Sequence, residues 1–84
     1  MVYVFSQHAL EQIEKRGINK AVVERVLKNP DQIITHDDLN VFQRIETIDR
    51  KLFLIRVFLN MRKVPNVVVT VYRTSKIDKY ESKI

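Results

Sequence analysis

Residues 41–59, VFQRIETIDRKLFLIRVFL, decide the fold. Apolar and polar side chains alternate on both sides of Asp49-Arg50-Lys51, and β-branched and aromatic residues dominate. A period of two in such residues reads as strand, so the stretch is two strands, Val41–Ile48 and Leu52–Leu59, joined by a turn. Residues 67–73, VVVTVYR, repeat the pattern after a loop, Asn60–Asn66, that holds the second proline. The C-terminal half is therefore expected to be an antiparallel sheet. A short strand at Ile33-Ile34 would extend it.

Because a one-residue slip exchanges the faces of a strand, apolar matching predicts the register. Phe53, Ile55, Val57 and Leu59 form a wholly apolar face. Their expected partners are Val67, Val69 and Val71 on one side, and Val41 and Ile45, with Gln43 and Thr47, on the other. If Ile48 pairs with Leu52 across a three-residue turn, the opposite face carries Arg44 directly across from Arg56. If Leu59 pairs with Val67, Arg56 faces Thr70. Phe42, Glu46, Leu54, Phe58, Val68 and Tyr72 share this second face. Two arginines opposite each other repel. Either Glu46 bridges them or a phosphate lies between their guanidinium forks. Arginines beside aromatic rings also suit a shallow RNA-binding surface, where bases stack and cations hold phosphates. The plainer alternative is that the tail or a partner chain covers the aromatic residues.

Working toward the N-terminus, the period changes from two to 3.6. Ser6 reads as the cap of a helix over Gln7–Arg16, with Ala9, Leu10 and Ile13 on one face and Gly17 as its stop. Asn19 caps a second helix running to Lys28, with an apolar stripe of Val22, Val23, Val26 and Leu27, and Asn29-Pro30 ends it. Met1–Phe5 is β-prone and suited to an edge strand. The expected architecture is α+β: two N-terminal helices on one face of a three- to four-stranded antiparallel sheet, in a single domain over residues 1–84. The helix–Gly–helix segment also resembles a helix-turn-helix, but its short second helix exposes few side chains able to read bases, chiefly Glu24 and Lys28.

Size and composition narrow the class. At 84 residues, a core contributes on the order of 3–5 kcal/mol of net stability, so a second copy of the chain or another partner would add useful buried area. There is no cysteine, hence no disulfide and no thiolate metal site, which suits a reducing cytoplasm. MVYVFSQHAL lacks the basic and apolar regions of a signal peptide. The longest apolar run is broken by Arg56 and is too short to cross a bilayer. Fifteen Lys and Arg against ten Asp and Glu give a net charge of +5, which favours polyanions such as RNA or an acidic protein.

The candidate chemistry rests on few residues. His8 falls in the first turn of the first helix. The positive end of the helix dipole there disfavours a second positive charge and favours the neutral imidazole that a general base requires. Local packing is the bland alternative. Metal-free RNA cleavage needs a base, cations for the charged phosphorane and an acid for the leaving oxygen. His8 fits the first role, Arg44 or Arg56 the second, and Tyr72, a phenol protonated at neutral pH, the third. Lys76 and Lys79 would add phosphate contacts. His36-Asp37-Asp38 reads as a solvated turn, so neither a metal nor a cofactor is expected.

The opening FSQHALEQIEKRGINKAVVERVLKNPD resembles a family of small uncharacterised prokaryotic domains with an F-S-x-H-A…R-G-I signature. The closing VVVTVYRTSKIDKY is similar to that family's last strand and tail. The family in turn resembles the BrnT and RelE-like toxins, which place helices on an antiparallel sheet, cleave RNA without a metal, often on the ribosome, and are neutralised by an antitoxin. Carried over position by position, the resemblance implies functional roles for His8, Arg16, Arg56, Thr70 and Tyr72. It departs at Gln12, where the family usually has an arginine. Two readings stay open: a toxin-type endoribonuclease, or a non-catalytic module that binds RNA or protein on the same fold.

Overall fold

Ser6 opens the first helix by accepting the Ala9 N–H on its hydroxyl at 3.0 Å. Gly17 closes it in the left-handed region at φ 63°, a conformation that costs glycine nothing. Asn19 then accepts the Ala21 N–H at 2.8 Å and starts the second helix. In this computed structural model, residues 1–80 are described, His36 by its backbone alone. The elements are β1 (Tyr3–Phe5), α1 (Gln7–Arg16), α2 (Lys20–Lys28), β2 (Gln32–His36), β3 (Leu39–Ile48), β4 (Lys51–Asn60), β5 (Asn66–Thr74) and α3 (Ile77–Tyr80). Both expected helices thus form over their expected spans. Residues 81–84 of the charged tail lie outside the described residues. No described helix is long and apolar enough to cross a membrane.

The sheet has five strands in the order β1-β5-β4-β3-β2, where three or four were expected. It is mixed rather than antiparallel, because β1 runs parallel to β5. Beginning the chain with that strand also moves both long helices inside the topology, between β1 and β2. Ala9, Ile13, Val22, Val23, Val26 and Leu27 bury against Phe42, Ile55, Val57, Leu59, Val68 and Val71 on one sheet face. Each fully buried aliphatic side chain stabilises the fold by roughly 1.5–3 kcal/mol.

The register differs from the expected one at two places. The β3–β4 turn has two residues, not three, and pairs Ile48 with Lys51. Asp49 and Arg50 both take positive φ, 51° and 69°, the signature of the hairpin turn whose twist matches the strands. That one-residue change exchanges the faces of β3. Phe42, Arg44 and Glu46 lie on the helix side, and Val41, Gln43 and Ile45 on the other. Arg44 is opposite Ile55, and Arg56 is opposite Gln43. On the far side of β4, Phe58 pairs with Thr70 but Leu59 pairs with Val68, so a bulge intervenes. It brings Val68 and Val71, three residues apart, to the same buried face, and, with Leu59 paired to Val68 rather than Val67, sets Arg56 opposite Tyr72 instead of Thr70.

Arg44 therefore belongs to an ion network beneath α2 and does not meet Arg56. It donates to the Asn29 carbonyl at 2.7 Å and to Glu46 at 3.0 Å, and lies 3.7 Å from Asp31. Arg25 of α2 donates to the other Glu46 oxygen at 2.7 Å. The Arg25 hydrogen bond holds the Glu46 carboxyl below its ordinary pKa; burial opposes this, and Arg44 adds to the lowering. A folded value below the unfolded one means the network contributes fully above about pH 4.3, and its contribution is lost as pH falls through the lowered value. Glu46→Gln is expected to flatten the acid limb of stability against pH while lowering stability at neutral pH. Urea titrations between pH 3 and 7 would show this, and an unchanged acid limb would refute it.

Candidate active site

Beyond its pairing with β1, β5 presents an open edge to α1. Val71 projects its peptide groups there. Gln12 accepts the Val71 N–H on its side-chain oxygen at 2.9 Å, and Arg16 donates to the Val71 carbonyl at 3.2 Å. The two side chains lie four residues apart on one helix face, so together they close a peptide that would otherwise be open to another strand. This gives Gln12 a reason of its own. An arginine at this position has no acceptor and cannot satisfy the Val71 N–H. Gln12→Leu is expected to cost about 1–2 kcal/mol, and Gln12→Glu, which keeps the acceptor, clearly less. Equal losses in urea denaturation would contradict this account of the edge.

The same helix face lines an open depression of about 400 Å³ with His8, Glu11, Gln12, Lys15 and Arg16. His8 is exposed there, and its imidazole has no hydrogen-bond partner among the described residues. Glu11 and Lys15 were not singled out from the sequence. The signal was present, since 8, 11, 12, 15 and 16 follow helical spacing beside the Ala9 and Ile13 stripe.

Arg16 joins this groove to the other side of the sheet. Its guanidinium carbon lies 5.8 Å from the centre of the Tyr72 ring, which sits on the face away from α1 and α2. Tyr72 in turn accepts a hydrogen bond from Arg56 on its hydroxyl oxygen. Arg56 also donates to Gln43 at 3.0 Å, and its guanidinium carbon is 5.4, 5.5 and 4.7 Å from the ring centres of Phe58, Tyr72 and Tyr80. Gln43, only 1% exposed, donates to Gln32 at 2.7 Å and to the Tyr80 carbonyl at 3.2 Å. Neither Gln43 nor Tyr80 stood out in the sequence; both depend on partners more than ten residues away.

The candidate residues thus form two groups. His8 and Arg16 lie in the groove along the β5 edge. Arg56 and Tyr72 lie on the helix-free face, with Thr70 half-buried beside Phe58 in the register. Arg16 and Tyr72 are where the groups touch, and no hydrogen bond joins His8 to Arg56 or Tyr72. Lys76 and Lys79 are exposed on the α3 segment, with the Lys79 ammonium 5.3 Å from the Tyr80 ring. Asp37 and Asp38 form the β2–β3 turn, with Asp37 at φ 54°. Among the described residues no group of three or more His, Cys, Asp or Glu is placed to hold a metal ion.

A family model described as a domain of unknown function (DUF4258) matches residues 5–73. That span holds His8, Arg16, Arg56, Thr70 and Tyr72 and ends before α3. No curated protein and no solved structure gave a match.

Proposed function

We propose that this chain, which belongs to the DUF4258 family, is a metal-independent endoribonuclease of toxin type. One observation carries the reading: an exposed, unbonded His8 shares a groove with Lys15 and Arg16, and Arg16 reaches Tyr72 across the strand edge. In this mechanism His8 takes the proton from a ribose 2′-hydroxyl, and the oxygen attacks the adjacent phosphorus. Lys15 and Arg16 balance the charge of the phosphorane. Tyr72 delivers a proton to the departing 5′-oxygen as its bond to phosphorus breaks, leaving a 2′,3′-cyclic phosphate and a 5′-hydroxyl. Arg56, bonded to the phenol oxygen, stabilises the charge left on it. Arg44 has no part, being held beneath α2.

The resemblance to BrnT and RelE-like toxins supports an antitoxin as the protein partner, and the net charge of +5 suits an acidic one. Expression of the wild-type chain is expected to arrest bacterial growth, and a folded His8→Ala variant is expected to relieve the arrest. Toxicity that persists in the variant would refute the role given to His8. A second reading, a non-catalytic RNA-binding module, is favoured by the engagement of Arg56 and Tyr72 under Tyr80 and of Gln12 on the strand edge. It predicts binding that weakens steeply with salt and no turnover.

A further inference from the structure

We infer that the helix-free sheet face carries a nucleobase-binding platform of its own, and that Tyr80 occupies it as a stand-in for the base. The proposal takes RNA as the ligand from the functional reading above but does not depend on cleavage. The platform is Arg56 flanked by Phe58 and Tyr72, with Gln43 beneath. Tyr80 sets its ring over the Arg56 guanidinium, 4.7 Å from the guanidinium carbon to the ring centre, and meets the Tyr72 ring at 74°. Its backbone carbonyl takes the Gln43 amide hydrogen at 3.2 Å. An aromatic ring over a guanidinium, with a carbonyl oxygen facing an amide donor, is the set of contacts that uracil, cytosine or guanine would also make.

The occupant is lightly held. The α3 helix has four residues and buries none of them. A helix of one turn has no stability of its own, so contacts through Tyr80 and its neighbours must hold it in place. Such a segment opens at far lower cost than the sheet beneath it. Lys76 and Lys79 stand on the same segment and stay tethered beside the platform when it opens. There they meet the phosphates on either side of a bound base.

The test uses a fluorescent twelve-nucleotide 2′-O-methyl-uridine strand, which has no 2′-hydroxyl to attack and so reports binding alone. Tyr80→Ala, checked for folding by circular dichroism, is expected to bind about tenfold more tightly than the wild type, the worth of one stacked base. Tyr80→Phe, which keeps the ring, is expected to bind as the wild type does. Adding Arg56→Ala to Tyr80→Ala is expected to abolish the gain. Unchanged or weaker binding by folded Tyr80→Ala would overturn the proposal and leave Tyr80 a packing residue. Hydrogen exchange on the wild type gives a second readout that needs no variant. Saturation with the strand should speed exchange of the Lys79 amide, which bonds to the Lys76 carbonyl at 3.3 Å. Unchanged protection at saturation would equally overturn it. Failure of cleavage at His8 affects neither result.

Discussion

Gln43→Ala is expected to destabilise the protein by about 2–4 kcal/mol, more than any surface substitution. Gln43 is 1% exposed and its carboxamide serves three partners. It accepts from Arg56, donates to Gln32 and donates to the Tyr80 carbonyl. Truncation removes one of the two hydrogen-bond acceptors of a half-buried guanidinium, and an N–H left unpaired away from water is costly. It also opens a void at the centre of the sheet, beside Leu54 and Val41, both 1% exposed. Gln43→Leu fills the void but still leaves the Arg56 Nε–H without its acceptor, so it should recover only part of the loss. Urea unfolding of the three proteins measures this. A loss below about 0.5 kcal/mol for Gln43→Ala would mean that the network contributes nothing net.

His8→Ala is expected to behave in the opposite way. Its stability should stay within about 0.5 kcal/mol of the wild type, because His8 is exposed and no protein group depends on it. Its RNA cleavage should fall by about 10²–10⁴, the usual contribution of a general base. The pair of effects separates the two groups of polar residues. Gln43 holds the helix-free face together; His8 is placed for chemistry. A His8 variant that lost stability and activity in proportion would instead be structural.

The helices were legible because their signals are local. Ser6, Gly17, Asn19 and Asn29-Pro30 each act on a backbone within a few residues, and the helices begin and end where those signals put them. The strands were also legible as strands, since alternation is local. Their register was not. It hinged on whether Asp49 and Arg50 would both accept positive φ, a conformation that favours glycine and asparagine, and nothing in Asp-Arg announces it. The bulge beside Leu59 likewise leaves no mark in a run of valines. The turn moved Arg44 to the helix side, and the bulge helped bring Tyr72 opposite Arg56. The parallel partnership of β1 with β5 joins residues more than sixty apart and has no local signature.

For the candidate site, the resemblance implied roles for Arg16 and Tyr72, but their meeting across the strand edge joins residues 56 apart and was not readable in the sequence. The bond from Val71 to Gln12 spans 59 residues and was not readable at all. Gln12 stood out as a missing arginine, whereas its oxygen has a definite partner.

The most direct measurement is cleavage of RNA by the purified wild type in EDTA, on total RNA and on intact ribosomes, with folded His8→Ala alongside. Metal-free endonucleolytic cleavage leaving 2′,3′-cyclic phosphate ends, from the wild type and not the variant, is the predicted result. Salt-sensitive binding by both proteins with no cleavage on either substrate would contradict it and identify the chain as a binding module.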